Sequence, residues 1–359
     1  MSTKPRQKKE LAVPRPSSRH GYVVLISPQN EVLLLHRVKT STSYASAHVF
    51  PGGNISPLHD GEYAFDKEDP RRHYDAPNYR NAAIRELFEE SGILLAKDKQ
   101  DSLSGLFHVN DAEREQGRRD IHSNKIGFSE WLRKQHATAE PDIDGLIPFT
   151  HWITPTNLPK RFTTQMYLYF LPIPTKEHSA QNTATTTAQG LPKDGRQEVQ
   201  VPTSDGGIEI NEARFLPAST WLQKARAGEI ILYPPQYLLL SIVSQFLDQT
   251  APHQGPNSTV EELIEEEEKE RHSRRNNLLQ FILTDNPPWT DKFVCPKTMK
   301  LLDDKRSVLA LDEPGPELHG SGKKGVFDRV ILVRFDKDGP HDVDVCWRKD
   351  VLGDLKSAL

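Results

Sequence analysis

The sequence has few cysteines, no long apolar run and no strong excess of charge of either sign. Its two cysteines, Cys295 and Cys346, lie far apart and match no zinc-ligand spacing, which favours ordinary thiols in a reduced interior over a disulfide framework. No apolar stretch approaches the length of a membrane span. A formal charge of -4 provides no global field that would attract nucleic acid. We therefore predict a soluble protein without a membrane span and without a nucleic-acid partner.

The two ends of the chain carry only faint targeting signals. Residues 1–19 are basic and nearly free of acid, as in mitochondrial presequences, but their prolines oppose an amphipathic helix, so we predict a disordered arm. Residues 357–359 read Ser-Ala-Leu and lack the central basic residue of the peroxisomal S-K-L signal. We predict an intracellular protein, with the cytoplasm favoured and the mitochondrion and peroxisome as alternatives.

Composition divides the 359 residues, of which 36% are hydrophobic, into a main domain and an extension. Residues 20–249 alternate β-rich runs with helical patterns and form the predicted main domain. A polar, proline-containing surface insertion at 54–78 and a low-complexity segment at 175–201, predicted to be a mobile loop, interrupt it. Residues 250–275 are a predicted linker and charged helix, and residues 276–359 are a predicted β-rich extension.

A short helix, predicted within residues 79–95, carries three glutamates on one side. On a 3.6-residue period Glu86, Glu89 and Glu90 lie within roughly 100° of arc, beside an apolar stripe that faces a core. Like charges at this spacing destabilise a helix, and a divalent cation such as Mg²⁺, which prefers carboxylate oxygens, would remove the repulsion. The alternative is a solvated acidic face, which clustered glutamates usually form.

Local signals also set the predicted ends and contacts of this helix. Asn78 is the predicted N-cap, and Gly92 suits a left-handed helix end. Arg85 lies one turn before Glu89 and is predicted to form an ion pair that holds the Glu89 carboxylate in place.

The residues around the three acids resemble a known family motif. Residues 85–93 read R-E-L-F-E-E-S-G-I, and residues 51–53 read P-G-G. This resembles the box of the Nudix hydrolases, G-x₅-E-x₇-R-E-U-x-E-E-x-G-U, in which U is a bulky aliphatic residue. The second half of the box matches at every fixed position.

The first half of the box departs from the family pattern. If Gly53 is its first glycine, the box glutamate would fall at position 59, which is His59 here, and the arginine would fall at 67 instead of 85. The loop between the two halves is therefore lengthened. Asp60 and Glu62 are the two candidates for replacing the missing glutamate.

A lengthened box of this kind is similar to that of the acyl-coenzyme A diphosphatase branch of the Nudix family. The stretches at 151–170, HWITPTNLPKRFTTQMYLYF, and at 232–240, LYPPQYLLL, support the same placement. The resemblance covers about residues 21–247 and not the C-terminal extension. It implies an α/β (α+β) fold, a Nudix-type α/β/α sandwich with a mixed sheet, to which the small β-rich C-terminal extension is added.

The resemblance also implies a reaction, in which water attacks a phosphorus of a nucleoside diphosphate linked to another group X. The phosphates repel such a nucleophile, so cations that bridge phosphate oxygens are needed. We assign Glu86, Glu89 and Glu90 to Mg²⁺ or Mn²⁺, with the Gly53 carbonyl as a further ligand, and Arg85 completes the predicted catalytic group. The general base is left open between these acids and an acid from a loop.

Substrate contacts are predicted from residue chemistry alone. Arg37 and Arg161 suit bidentate hydrogen bonds to phosphates, and Phe162 or Trp152 suits stacking on adenine. Gln236, after two prolines, either caps a helix or contacts substrate. Each has a structural alternative, because an arginine also flanks strands and an aromatic ring also fills cores.

The favoured substrate is coenzyme A or acyl-coenzyme A, which would yield adenosine 3',5'-bisphosphate and (acyl-)phosphopantetheine. Two alternatives stay open: a Nudix pyrophosphatase acting on ADP-ribose or dinucleotides, and a catalytically inactive Nudix scaffold that binds partners through the low-complexity segment and the region after Thr250. The sequence leaves the oligomeric state open.

Overall fold

The computed structural model describes residues 17–39, 45–62, 65–66, 69–100, 105–173, 202–206, 209–248 and 259–353. The predicted mobile loop at 175–201 and most of the predicted disordered arm lie outside the described residues. The first strand begins at Ser18, so the last two residues assigned to the arm belong to the folded sheet.

The elements are numbered in chain order. The strands are β1 (Ser18–Ile26), β2 (Val32–Arg37), β3 (His48–Val49), β4 (Gly52–Asn54), β5 (Ala96–Asp98), β6 (Ala139–Pro141), β7 (Ile147–Ile153), β8 (Phe162–Phe170), β9 (Ile210–Leu216), β10 (Phe293–Val294), β11 (Lys297–Leu301), β12 (Ser307–Leu311), β13 (Val326–Asp336) and β14 (Gly339–Trp347). The helices are α1 (Pro57–Asp60), α2 (Pro77–Ser91), α3 (Asp111–His122), α4 (Phe128–Gln135), α5 (Ala218–Arg226), α6 (Pro234–Leu247), α7 (Val260–Thr284) and α8 (Arg348–Leu352). Short 3₁₀ turns lie at Pro70–His73, Ile143–Gly145, Trp289–Asp291 and Pro316–Leu318.

A mixed sheet forms the centre of the molecule, as predicted. Its strand order is β10-β7-β8-β1-β2-β3, with β4 beside β1 and β9 beside β2. Strand β1 runs parallel to β8 and antiparallel to β2 and β4. Because β1 lies inside the sheet, its side chains are buried on both faces, which explains its continuous apolar run.

The main sheet lies between two layers. Alternate residues of β1 point to opposite faces, so Val23 and Leu25 pack under α2, α3 and α4, while Tyr22 and Val24 pack under α5, α6 and α7. This arrangement confirms the predicted α/β/α sandwich. Among the described residues, no helix has the length and apolar character needed to cross a bilayer.

Helix α2 presents the predicted apolar face to this core. Its residues Ala83, Ile84, Leu87 and Phe88 are fully buried. The helix ends at Gly92, which has a φ of 74° and so adopts the left-handed conformation that glycine tolerates.

The predicted N-cap of α2 is wrong, because the helix begins two residues earlier than predicted. Pro77 occupies the first turn and Ala76 is the N-cap, whereas Asn78 lies inside the helix. The fixed φ of proline suits the first helical position, and its missing N–H needs no partner there.

The predicted boundary between the charged helix and the extension, at 275/276, falls inside α7. A capping box at Thr259 starts this helix, and Leu278 and Ile282 beyond the predicted boundary are fully buried against the main sheet. These apolar residues continue the helix because the main core covers them. The acidic run in the sequence marks only the exposed first half of α7.

The C-terminal strands pack onto the main domain instead of standing apart. Strands β11, β12, β13 and β14 form a second, antiparallel sheet. Its buried residues Leu309, Ile331 and Val333 share one hydrophobic cluster with Tyr237 of α6, and β10 pairs with β7 in the main sheet. The extension predicted from sequence is therefore a third layer over part of the main sheet.

Arg275 ties α7 to the end of β1. Its guanidinium donates to Ser27 O at 2.7 Å, Leu171 O at 2.8 Å and Asn30 Oδ1 at 2.7 Å. We expect Arg275→Met to lower the free energy of unfolding by about 3 kcal/mol, because three buried acceptors lose their donor. Urea denaturation followed by circular dichroism measures this change.

Arg274→Met is the matched control for that substitution. Arg274 pairs with half-exposed Glu270 one turn away, so its loss should change stability by less than about 1 kcal/mol. Equal effects of the two substitutions would contradict the anchoring role of Arg275.

Candidate active site

Arg85 is the centre of a buried ion-pair network on α2. Its Nη1 donates to Glu86 Oε1 and to Glu89 Oε1, each at 2.8 Å. Its Nε and Nη2 donate to the two carboxylate oxygens of Asp60 at 3.0 and 2.9 Å, and Nη2 also donates to Asn54 O at 2.7 Å. The predicted contact with Glu89 is present. One guanidinium thus orients carboxylates from α1 and α2 together.

Asp60 comes from the segment predicted as a surface insertion, and that prediction is wrong for its first part. Asp60 and His59 are buried at the end of α1, whereas Glu62 is exposed. The Asp60 Oδ2 also accepts from Ser56 N at 2.7 Å, which closes the short helix around it. Asp60 is therefore the carboxylate that meets Arg85, and Glu62 makes no such contact.

Two groups outside α2 hold Glu90. The Gly52 N–H donates to Glu90 Oε2 at 2.9 Å, and Arg37 Nη1 lies 3.4 Å from Glu90 Oε1. Arg37 Nη2 reaches Glu209 Oε2 at 2.8 Å. Arg37, at the end of β2, therefore lies between two acids and takes part in the site.

Glycine at position 53 allows the β4 backbone to lie against Glu86. A Cβ at Gly53 would stand 2.5 Å from Glu86 Cδ and 2.6 Å from its Oε2, so any other residue here would displace the Glu86 carboxylate. The backbone of Gly53 and the Glu86 carboxylate are thus neighbours, as the metal-ligand prediction requires.

The acids of α2 lie in an environment that disfavours their charge. Burial is the main cause that raises the pKa of Glu86 to about 7, with Arg85 opposing the shift and Glu89 adding to it. Burial and then repulsion by Glu86 raise the pKa of Glu90 well above its ordinary value, against the attraction of Arg37. Both carboxyl groups therefore tend to hold a proton, and a nearby cation would favour their ionised forms.

The three glutamates line one cleft of about 280 Å³. Its other walls include His122 on α3, whose Nδ1 lies 3.2 Å from Glu89 Oε2, and the acids Asp205 and Glu209. The predictions missed these three residues. Asp205 and Glu209 immediately precede β9, which pairs with β2 and so arrives beside Arg37. No local pattern connects them with α2.

The closely spaced carboxyl groups that line this cleft provide the oxygen ligands that a hard divalent cation prefers. The Glu86 carboxylate against the Gly53 backbone is the observation that fits such an ion best. Within the described part of the chain, however, no three His, Cys, Asp or Glu side chains converge as a metal-binding cluster. The carboxylate oxygens point instead to Arg85, Arg37, His122 and the Gly52 N–H.

Three of the predicted substrate-binding residues lie away from the acidic cleft. Phe162 and Gln236 line a second, larger cavity, as does Trp152. Arg161 is buried, forms an ion pair with Glu317 and donates to Thr154 O. Gln236 does not cap α6, whose N-cap is Tyr233 and which has no side-chain cap. Of the four, only Arg37 contacts an acid of α2.

Comparison with known proteins identifies the class of domain that carries this cleft. A sequence model described as the NUDT19 Nudix domain matches residues 62–194, which include α2 with Arg85 and the three glutamates. Residues 62–194 are therefore similar to a Nudix domain, and the predicted resemblance is confirmed.

Two curated relatives show moderate similarity. A Caenorhabditis elegans protein with the provisional name nudix hydrolase 7 is 27% identical over 231 residues, which cover 64% of this chain and 61% of the relative. The acyl-coenzyme A diphosphatase NUDT19 of Xenopus laevis is 23% identical over 282 residues, covering 63% and 66%. The chain spans less than two thirds of the length of each relative.

The similar proteins with solved structures have lower sequence identity to this chain. A Nudix hydrolase from Alicyclobacillus acidocaldarius has a TM-score of 0.42 at 20% identity, covering 64% of this chain and 91% of the other. A C. elegans Ap4A hydrolase has a TM-score of 0.26 at 14% identity, covering 64% and 97%.

We expect Asp60→Asn to lower the free energy of unfolding by about 2 kcal/mol, because a buried guanidinium loses the charge of its partner. Thermal and urea denaturation measure this effect. Glu62→Gln, two residues along the chain and exposed, is the control and should change stability by less than about 0.5 kcal/mol. A larger effect at Glu62 would contradict the assignment of Asp60 to Arg85.

Proposed function

We propose that the protein is a divalent-metal-dependent hydrolase of nucleoside diphosphates linked to a group X. The favoured substrate is coenzyme A or acyl-coenzyme A, split to adenosine 3',5'-bisphosphate and (acyl-)phosphopantetheine. The observation that carries the proposal is that Glu86, Glu89 and Glu90 line one cleft, with the Glu86 carboxylate against the Gly53 backbone.

The cleft supplies positioned charge of both signs. Glu86 and Glu90, with the Gly53 carbonyl, are the groups that would hold Mg²⁺ or Mn²⁺, and Glu89 stands beside them. When bound, such an ion neutralises phosphate charge and lowers the pKa of coordinated water. Arg85 holds Glu86 and Glu89 in place, and the Gly52 N–H donates a hydrogen bond to one carboxylate oxygen of Glu90.

Arg37 is the proposed contact for the diphosphate. Its guanidinium already lies beside the cleft, shared between Glu90 and Glu209, and a planar fork of this kind suits bidentate binding of phosphate oxygens. The attacking water also needs a base. Besides the acids of α2, the cleft contains Asp205 and Glu209, the loop acids that the sequence left unidentified.

The name of the Xenopus laevis relative supports coenzyme A chemistry for the substrate. The lengthened box and the motifs after it point the same way. Because the identity is 23%, ADP-ribose and dinucleotides belong in any test of the substrate.

The first test incubates the full chain with Mg²⁺ or Mn²⁺ and coenzyme A, octanoyl-coenzyme A, ADP-ribose and a dinucleotide. We expect adenosine 3',5'-bisphosphate from the two coenzyme A species, detected by chromatography, and no product with a chelator present. Cleavage of ADP-ribose or the dinucleotide, without cleavage of either coenzyme A species, would overturn the assignment of coenzyme A as the substrate. Absence of cleavage with every metal would favour the inactive scaffold.

The second test is Glu90→Gln, which keeps the size of the side chain and removes its charge. We expect kcat to fall at least about 100-fold, because the variant loses a negative charge that would hold the divalent ion. Glu130→Gln is the matched control, since Glu130 is an exposed residue of α4 paired with Lys134. Retained activity in Glu90→Gln would contradict the assigned role.

A further inference from the structure

A second cavity of about 1680 Å³, much larger than the acidic cleft, lies between the main sheet, α6 and the C-terminal sheet. Ligand sites in proteins are commonly about 300–1,000 Å³. Strand β1 provides His20 and Tyr22, the first turn of α6 provides Gln236, and the C-terminal part provides Leu309 and Leu318. The C-terminal sheet is therefore one wall of the cavity.

The wall of this cavity is mainly apolar. Tyr22, Trp152 and Met166 of the main sheet face it, together with the half-buried ring of Phe162 and with Leu309 across from them. Such a surface binds hydrocarbon, and each methylene taken from water strengthens binding about 3- to 4-fold at most. The apolar part of the wall suits an extended apolar chain.

Two polar atoms in this wall have no hydrogen-bond partner among the described residues, although their side chains are more than nine-tenths buried. They are Gln236 Oε1 and His20 Nε2. Buried polar groups are almost always paired, so these two atoms are available for hydrogen bonds to a ligand in the cavity. Burial and then the nearby Arg37 lower the pKa of His20 to about 4, so its ring is neutral near pH 7.

A neutral imidazole and a carboxamide complement a ligand that offers both N–H and C=O groups. An amide does this, and a carboxamide such as that of Gln236 can pair with it in either orientation. A hydrocarbon interrupted by amides therefore matches both the apolar wall and its two unpaired atoms. A simple fatty chain would leave Gln236 unsatisfied.

The cavity begins one strand away from the acids. On β1, His20 pairs with Asn54 and Tyr22 pairs with Gly52, whose N–H holds Glu90. Paired strands lie about 4.8 Å apart. His20 and Tyr22 point to the face of β1 opposite α2, so a ligand with its diphosphate at the acids would have to pass β4 to reach the cavity.

We propose that this cavity binds the group X of the substrate as an apolar arm that carries amides, of the acyl-pantetheine type, with the C-terminal sheet as its outer wall. The direction of the arm rests on the proposed function, which puts the diphosphate at the acids. Binding of the arm itself does not depend on hydrolysis. Phe162, predicted to stack on adenine, contacts the arm in this arrangement.

The first test measures binding of S-octanoyl-pantetheine, which lacks the nucleotide, to the full chain by isothermal titration calorimetry. We expect Gln236→Leu to weaken binding about 10-fold. The melting temperature should stay equal or rise, because the substitution removes an unpaired buried oxygen. Adenosine 3',5'-bisphosphate is the second probe, and its affinity should not change.

Gln245→Leu makes the same substitution on the exposed side of α6, where Gln245 bonds Ser241 O, and serves as the control with unchanged binding. The proposal is overturned if S-octanoyl-pantetheine does not bind. It is also overturned if Gln236→Leu weakens adenosine 3',5'-bisphosphate instead, since the nucleotide would then occupy the cavity.

The second test compares pantetheine with its acetyl, octanoyl and palmitoyl thioesters in Thr164→Phe. Thr164 lines the cavity on β8, so a phenyl ring there reduces the space for the chain. We expect the loss of affinity to grow with chain length, from below 2-fold for acetyl to above 10-fold for palmitoyl. A loss independent of length would overturn the proposal.

These outcomes separate the arm from the reaction. Binding that follows both patterns in a chain without hydrolase activity would refute the proposed function and keep the cavity assignment. Hydrolysis of coenzyme A by a chain whose binding ignores Gln236 and Thr164 would do the reverse. Circular dichroism checks the fold of each variant. If Thr164→Phe does not fold, the binding data for Gln236→Leu alone test the cavity assignment.

Discussion

The contact of one guanidinium with three carboxylates organises the acidic cleft of this protein. Arg85 is buried and donates to Asp60, Glu86 and Glu89, which belong to two different helices. A buried arginine must be paired, and buried acids at this spacing repel each other unless a cation lies among them. The lengthened loop therefore folds inward at α1, because Asp60 completes the pairing of Arg85. The Asn54 carbonyl binds the same guanidinium and fixes β4 beside α2.

Strand β1 separates two regions of opposite character. The small cleft of carboxylates and arginines lies beyond β4, on the side of α2. The wide, apolar cavity lies on the opposite face of β1. The backbone of Gly52 and Gly53 joins them, since it binds Glu90, lies against Glu86 and pairs with β1. A diphosphate linked to a long apolar arm has the same division between a charged and an apolar part. The protein thus provides a separate environment for each part of the proposed substrate.

The C-terminal sheet forms one wall of the large cavity. It shares a hydrophobic cluster with α6 and the main sheet, so the chain has a continuous core where composition suggested an appended unit. Arg161 and Glu317 link the two parts by a buried ion pair, and β10 extends the main sheet. One face of the main sheet and the C-terminal sheet therefore enclose the cavity between them. Under the proposed function, specificity for X would reside in residues that the family motif does not include.

The sequence by itself determined α2, its apolar face and the side on which Glu86, Glu89 and Glu90 lie, because helical periodicity depends only on local spacing. The motif at residues 85–93 also implied the mixed sandwich, through its resemblance to a known family. Tertiary structure alone decided that Asp60 and not Glu62 meets Arg85, that Asp205 and Glu209 join the cleft, and that Phe162 and Gln236 face another cavity. These are contacts between residues far apart in the chain, and they follow from strand pairing and packing, which no local pattern encodes.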